Sequence, residues 1–153
     1  MRFESDFEDV IRCLNLHSVE FLLVGAYALA HHGVPRATQD LDLYIHPTPQ
    51  NAHRVVQALE SFGFSGLEEK EVATPGKVIM MGRPPMRIDL LTRITGVTWE
   101  EAWDGRETLN YGKQPLFVIG KRELMANKAA TGRTKDKADW ELLQHDVGQK
   151  GSL

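Results

Sequence analysis

The hexapeptide Asp40-Leu41-Asp42-Leu43-Tyr44-Ile45 constrains the fold more than any other stretch of this chain. Strict apolar–acidic alternation at its start is the period of an extended strand, whose successive side chains point to opposite faces. Leu41, Leu43 and Ile45 then enter a core, and Asp40 and Asp42 share the other face. Two carboxylates so placed repel, and either one takes up a proton or a divalent cation neutralises both. An all-oxygen pair suits a hard cation such as magnesium. A solvated strand face would carry the same tripeptide, so Asp40 and Asp42 alone leave both readings open.

The residues before the hexapeptide narrow the choice. Phe21-Leu22-Leu23-Val24 reads as a short buried strand that closes on Gly25-Ala26. Tyr27 to His32 follows as one short helix ending at Gly33. A glycine at the strand-to-helix turn lets the backbone come close to a ligand, and the unpaired amides of a helix start favour phosphate oxygens. Such turns also use glycine for purely steric reasons. Placed just before an aspartate strand, however, this turn would set a phosphate binder and a metal binder on one cleft, as a nucleotide requires.

In the order Gly25-Ala26, helix, then Arg36-Ala37-Thr38-Gln39-Asp40-Leu41-Asp42-Leu43, the chain resembles the nucleotidyltransferase fold superfamily. Its spelling, Gly-x-x-Ala-Leu-x-x-His-Gly-x-x-Arg-x-Thr-x-Asp-Leu-Asp, is most similar to the AbiEii-like and minimal nucleotidyltransferase-like small bacterial proteins, many of them toxins of toxin-antitoxin pairs. A second stretch, Lys128 followed by Gly132-Arg133-Thr134-Lys135-Asp136 and Ala138-Asp139, resembles the lysine and Arg-x-x-Asp-x-x-Asp signature that follows the catalytic strands of that group. The resemblance implies an α/β (α+β) fold, a mixed β-sheet flanked by helices with further helices at the C-terminus. It also implies Mg2+ or Mn2+ on acidic residues, and transfer of a nucleotide from a nucleoside triphosphate to an acceptor hydroxyl on RNA such as tRNA, on a protein or on a small compound. An antitoxin is the partner implied if the chain is such a toxin.

Residue by residue, the resemblance places Asp40 and Asp42 at the metal. Gly25, Ala26, Arg36, Lys128 and Asp136 fall at the nucleotide, with Asp136 and Asp139 orienting Lys128 or its loop. Ala26 departs from the pattern: many active members have serine there, and its hydroxyl would help hold phosphates. The departure keeps open a degenerate member that retains the fold and the metal carboxylates but only binds a partner, and the same aspartates also suit a metal-dependent phosphohydrolase. Arg36 is read either as a brace or phosphate contact through paired donors, or as a salt bridge to one of the aspartates.

The resemblance also implies a third acidic residue on a later strand, part of the metal site. Met86-Arg87-Ile88-Asp89-Leu90-Leu91 alternates so that Arg87, Asp89 and Leu91 share one face and Ile88 and Leu90 the other. Asp89 is therefore the candidate to join Asp40 and Asp42, against the plain alternative of an aspartate ending an edge strand. Glu100 and Glu101 compete with it from a helical turn beside Trp99 and Trp103, two aromatics that read as a core stripe. The neighbouring run Lys77 to Gly82 reads as a buried strand, and Gln114 to Ile119 as the last strand.

The remaining segments supply support. Phe7, Val10, Ile11 and Leu14 recur at helical spacing behind the caps Ser5 and Asp6, and Ala52, Val55, Val56, Leu59 and Phe62 line a second helix stopped by Gly63. His53 and Arg54 point outward from it, and Phe64 to Glu71 reads as an exposed acidic loop or strand edge. Helices are expected over 121–130 and from about Lys135 to His145. One domain over 1–147 is expected, its C-terminal helical part at about 121–147 and a frayed tail at 148–153.

At 153 residues, with 42% hydrophobic and 25% charged residues, the chain can bury an ordinary single-domain core. A formal net charge of -3 gives no global basic field to drive nonspecific binding to a polyanion. Cys13, the single cysteine, excludes an intrachain disulfide and a cysteine-built zinc site and fits a reducing cytoplasm. Phe21 to Ala30 falls far short of the roughly 20 apolar residues of a membrane span, so neither a signal peptide nor a membrane helix is expected.

Overall fold

A computed structural model describes the backbone of residues 3–150 and the side chains of residues 6–145. The hexapeptide forms strand β2 (Asp40–Ile45) near the middle of a six-stranded mixed sheet. It is flanked by β1 (Phe21–Val24), antiparallel to it, and by β4 (Met86–Leu91), parallel to it. The order is completed by β3 (Val78–Arg83) beyond β4 and by β6 (Gln114–Val118) and β5 (Glu107–Tyr111) beyond β1, giving β3-β4-β2-β1-β6-β5. The expected α+β architecture is what the chain adopts.

Alternation does its work on β2 and β4. Leu41, Leu43, Ile45, Ile88 and Leu90 are fully buried. They share one core with Phe7, Ile11 and Leu14 of α1 (Phe3–Leu16) and Val55 and Leu59 of α3 (Pro49–Phe62), two helices packed on one another. Because α1 begins at Phe3, Ser5 and Asp6 lie within its first turn and do not precede it. Thr48 caps α3 by accepting from the Asn51 amide, and Gly63 ends it in the left-handed region at φ 119°. Buried Asn51 ties α3 to the sheet through the Glu20 backbone: its side-chain oxygen accepts from the Glu20 amide, and its amide nitrogen donates to the carbonyls of Glu20 and His46. Every residue of β1 is buried, as its apolar run requires of a strand covered on both faces.

Two further expectations are corrected, and one strand is added. The segment after Phe64 includes a helical turn, α4 (Glu69–Val72), that buries Val72. Strand β3 is not buried: it is the sheet edge, with Val78 61% and Met80 65% exposed while Ile79 faces the core. Only one of its faces packs, so an apolar run there reflects β propensity more than burial. Strand β5, unanticipated, pairs antiparallel with β6 from Glu107↔Val118 to Tyr111↔Gln114 through a turn at Gly112.

Helix α5 (Trp99–Asp104) opens on a capping box between Thr98 and Glu101. Trp99 is buried, lies edge-on to Tyr44 and stacks on His46 and Trp103, so the aromatic pair is a core stripe. Helices α6 (Lys121–Ala130) and α7 (Thr134–Lys150) form the C-terminal pair. α7 runs past its expected end near His145, and positions 151–153 of the expected tail lie outside the described residues. Among the described residues no helix is long and apolar enough to cross a membrane.

Candidate active site

Parallel pairing of β2 with β4 sets Asp42 directly beside Asp89 and Asp40 beside Arg87. Neighbouring strands lie about 4.8 Å apart, so two carboxyls on one face of adjacent strands meet. Burial raises the Asp42 carboxyl to a pKa of about 6, helped by the charges of Asp89 and Asp40 and by a hydrogen bond with the Asp89 carboxyl; Arg87 pulls it the other way. The Arg87 guanidinium grips Asp89 with two donors, Nε to Oδ1 at 3.0 Å and Nη2 to Oδ2 at 3.1 Å, and stands 3.9 Å from Asp40. Three carboxylates thus face one fixed cation. With all three ionised, the excess is two negative charges.

Strand β1 delivers Gly25 to this group. Val24 pairs with Asp42, and the next residue starts helix α2 (Gly25–His31) at φ +70°. A Cβ on Gly25 would lie 2.1 Å from Asp42 Oδ2. The glycine is therefore required twice, once by the left-handed backbone and once by the carboxylate seated on it. Sequence reasoning expected close approach of a ligand there; the protein's own aspartate is what approaches. Ala26 follows at the rim of the same cleft.

The opposite wall comes from the C-terminal helices. Lys128, late in α6, lies 3.1 Å from Asp136 Oδ1 and 3.2 Å from Asp139 Oδ2, and both aspartates are buried on α7. Asp136 also accepts from Thr131 Oγ1 at 2.6 Å and Arg133 Nε at 2.7 Å. Burial pushes its carboxyl up, but the bonds from Thr131, Lys128 and Arg133 and the Lys128 charge outweigh it and hold the pKa at about 2. Arg36 donates to Asp139, 103 residues away in sequence. The expected salt bridge of Arg36 is thus made, but to an aspartate of α7, and neither Asp40 nor Asp42 takes part.

Between the walls lies a cleft of about 1000 Å³. Gly25, Ala26, Asp40, Asp42 and Arg87 line one side and Arg36, Lys128, Arg133, Lys135, Asp136 and Asp139 the other. Asp89 does not itself line the cleft; it stands behind Asp42 and Arg87, which do, bonded to both. Glu100 and Glu101 do not join: they line a separate cleft with Tyr44 and Trp99, and the Glu101 carboxylate accepts from the Thr98 amide. Sequence reasoning placed Arg87 on the right face without a role, and it passed over Thr131. The Arg-x-Asp alternation on β4 was the signal for the first; Thr131 had none.

Neither a protein-family model nor a curated protein matches the chain. The groups lining the cleft set the chemistry open to it. Clustered carboxylates bind hard cations, and fixed guanidinium and ammonium groups bind phosphate oxygens. A ligand carrying both, a polyphosphate with its divalent ion, satisfies the two walls at once.

Proposed function

We propose that this chain is a metal-dependent nucleotidyltransferase that moves a nucleotide from a nucleoside triphosphate to an acceptor hydroxyl. The observation that carries the reading is the pairing of Asp42 with Asp89 in register, beside Asp40 and across one cleft from Lys128 and Arg36. The resemblance of Gly25 to Asp42 and of Lys128 to Asp139 to nucleotidyltransferases points the same way.

Asp40, Asp42 and Asp89 are the residues that would hold Mg2+ or Mn2+, and their two uncompensated charges fit a divalent ion. Such an ion lowers the pKa of an attacking hydroxyl and neutralises charge on the phosphates. Lys128, oriented by Asp136 and Asp139, offers a point charge to the outer phosphates, and Arg36 and Arg133 offer planar donors. In the transfer, the acceptor oxygen bonds to the α-phosphorus and the bond from that phosphorus to the β-phosphate bridging oxygen breaks. Pyrophosphate leaves, and the acceptor proton passes to a carboxylate of the group.

The test is to incubate the protein with α-labelled nucleoside triphosphates, Mg2+ and cell extract, and to follow label and pyrophosphate. Labelled acceptor and pyrophosphate are expected from the native protein and neither from Asp42→Asn. Release of inorganic phosphate without label transfer would replace the proposal with a phosphohydrolase. A second reading, a fold that binds nucleotide without transferring it, draws on Arg87, whose guanidinium already occupies Asp89, and on Ala26. Calorimetric titration with ATP, with and without Mg2+, separates the two further: Mg2+-dependent binding without label transfer favours the second, and no binding at all sinks both.

A further inference from the structure

The far end of α2 carries a second group of metal-type ligands that the cleft does not use. His31 and His32 close this helix, and Glu107 opens β5. His31 Nε2 lies 3.3 Å from Glu107 Oε1, His32 Nδ1 lies 4.0 Å from Glu107 Oε2, and one ligand atom from each of the three residues falls within 4.8 Å of the others. The two imidazoles meet edge-on with centroids 4.8 Å apart.

The decisive detail is the other nitrogen of His32. This fully buried ring holds Nε2 at 2.7 Å from the Ile119 carbonyl oxygen. A carbonyl only accepts, so Nε2 carries the proton, and in the neutral ring the lone pair is on Nδ1, on the side of Glu107. A backbone carbonyl that fixes tautomer and ring orientation is the support that metal-ligating histidines ordinarily have. A surface ion pair between His31 and Glu107 accounts for those two side chains. It does not explain why the buried imidazole of His32, oriented by the Ile119 carbonyl, turns Nδ1 to the same carboxylate, 4.0 Å away.

We propose that His31, His32 and Glu107 bind one borderline-soft divalent ion, Zn2+ by the chemistry of the set. Two imidazoles and a carboxylate suit zinc and discriminate against magnesium, which prefers oxygen ligands alone. Bond lengths near 2.1 Å in a tetrahedral site put ligand atoms about 3.4 Å apart. The 3.3 Å pair already fits, and the partly exposed His31 and Glu107 side chains have room to close the rest. Three protein ligands leave a fourth position for water or another donor. The ion fastens edge strand β5 to α2, the helix whose first residue supports Asp42. This site does not rest on the transferase reading.

The experiment is calorimetric titration of Zn2+ into tag-free, chelator-stripped full-length protein in excess Mg2+, with X-ray absorption of the zinc-loaded sample. One Zn2+ per chain is expected, with two imidazole nitrogens in its coordination shell. Glu107→Gln and His31→Asn, both at accessible positions, are each expected to weaken binding roughly tenfold or more. His53→Asn, at the exposed pair with Glu69, should leave it unchanged. No zinc binding in excess Mg2+, binding unaltered in both variants, or binding lost with His53 would overturn the proposal.

Discussion

Asp42 stands against the ordinary preference of a carboxylate for its charge. Its carboxyl titrates near 6 in the folded chain against 3.8 as the ordinary value, chiefly because it is buried and secondly because Asp89 and Asp40 repel its charge. Between those two pH values the native state binds more protons than the unfolded one, so stability falls as pH rises from about 4 to 6 and the full penalty persists above 6. Asp42→Asn removes that penalty. In metal-free buffer the variant is expected to exceed the native protein by on the order of 2–3 kcal/mol at pH 7.5 and by nothing near pH 4, as read from urea denaturation. Equal stabilities at pH 7.5 would mean Asp42 is not repelled as described. Asp136 has the opposite sign: its lowered pKa contributes stability above about 3.8 that is lost as pH falls toward 2. Gly25→Ala forces a side chain into the left-handed region, which costs about 1–2 kcal/mol, and into the Asp42 carboxylate. Mg2+ affinity measured by calorimetry is expected to fall with it, whereas Ala26→Ser, at the cleft rim, should keep or raise it.

The α6–α7 pair is the element that turns an acidic strand face into a two-walled cleft. Asp139 sits at 0% exposure between Lys128 and Arg36, so it binds α7 at once to α6 and to the loop before β2. Removing one partner of a buried ion pair leaves charge uncompensated, and Asp139→Ala is expected to cost about 3–5 kcal/mol in chemical denaturation. Arg133, largely exposed, spans only three residues to Asp136, and Arg133→Ala is expected to cost less than about 1 kcal/mol. The same contrast explains which elements were legible in advance. β1, β2 and β4 were read correctly because burial of alternate or continuous apolar residues leaves a pattern. β3 misled because an edge strand keeps apolar residues such as Val78 and Met80 without burying them. β5 left little signal, since Glu107, Thr108 and Asn110 are exposed and only its pairing with β6 makes it a strand.

Across the molecule, the sheet order brings residues that are distant in sequence to one place. β4, paired on one side with its hairpin partner β3, lies on the other beside β2 in parallel, and β6 returns next to β1; residues of α6 and α7 then line one cleft with Asp40 and Asp42. The cleft thus needs nearly the whole chain, and a ligand that bridges its walls should stabilise all of it. ATP with Mg2+ at about 100 times its Kd is expected to add about 2.7 kcal/mol to the unfolding free energy of the native protein and none to Asp89→Asn, measured as a shift in thermal midpoint. An equal shift in both proteins would place the nucleotide elsewhere. Read by itself, the amino-acid order determined the face that Asp40, Asp42 and Asp89 share on their strands and the glycine that precedes them, because alternation and positive φ are local properties of a backbone. Tertiary structure alone decided that Asp42 meets Asp89, that Arg87 clamps the pair, that Arg36 answers Asp139 and that Glu107 reaches two histidines. Those are contacts between strands and helices whose register and order no short-range pattern encodes.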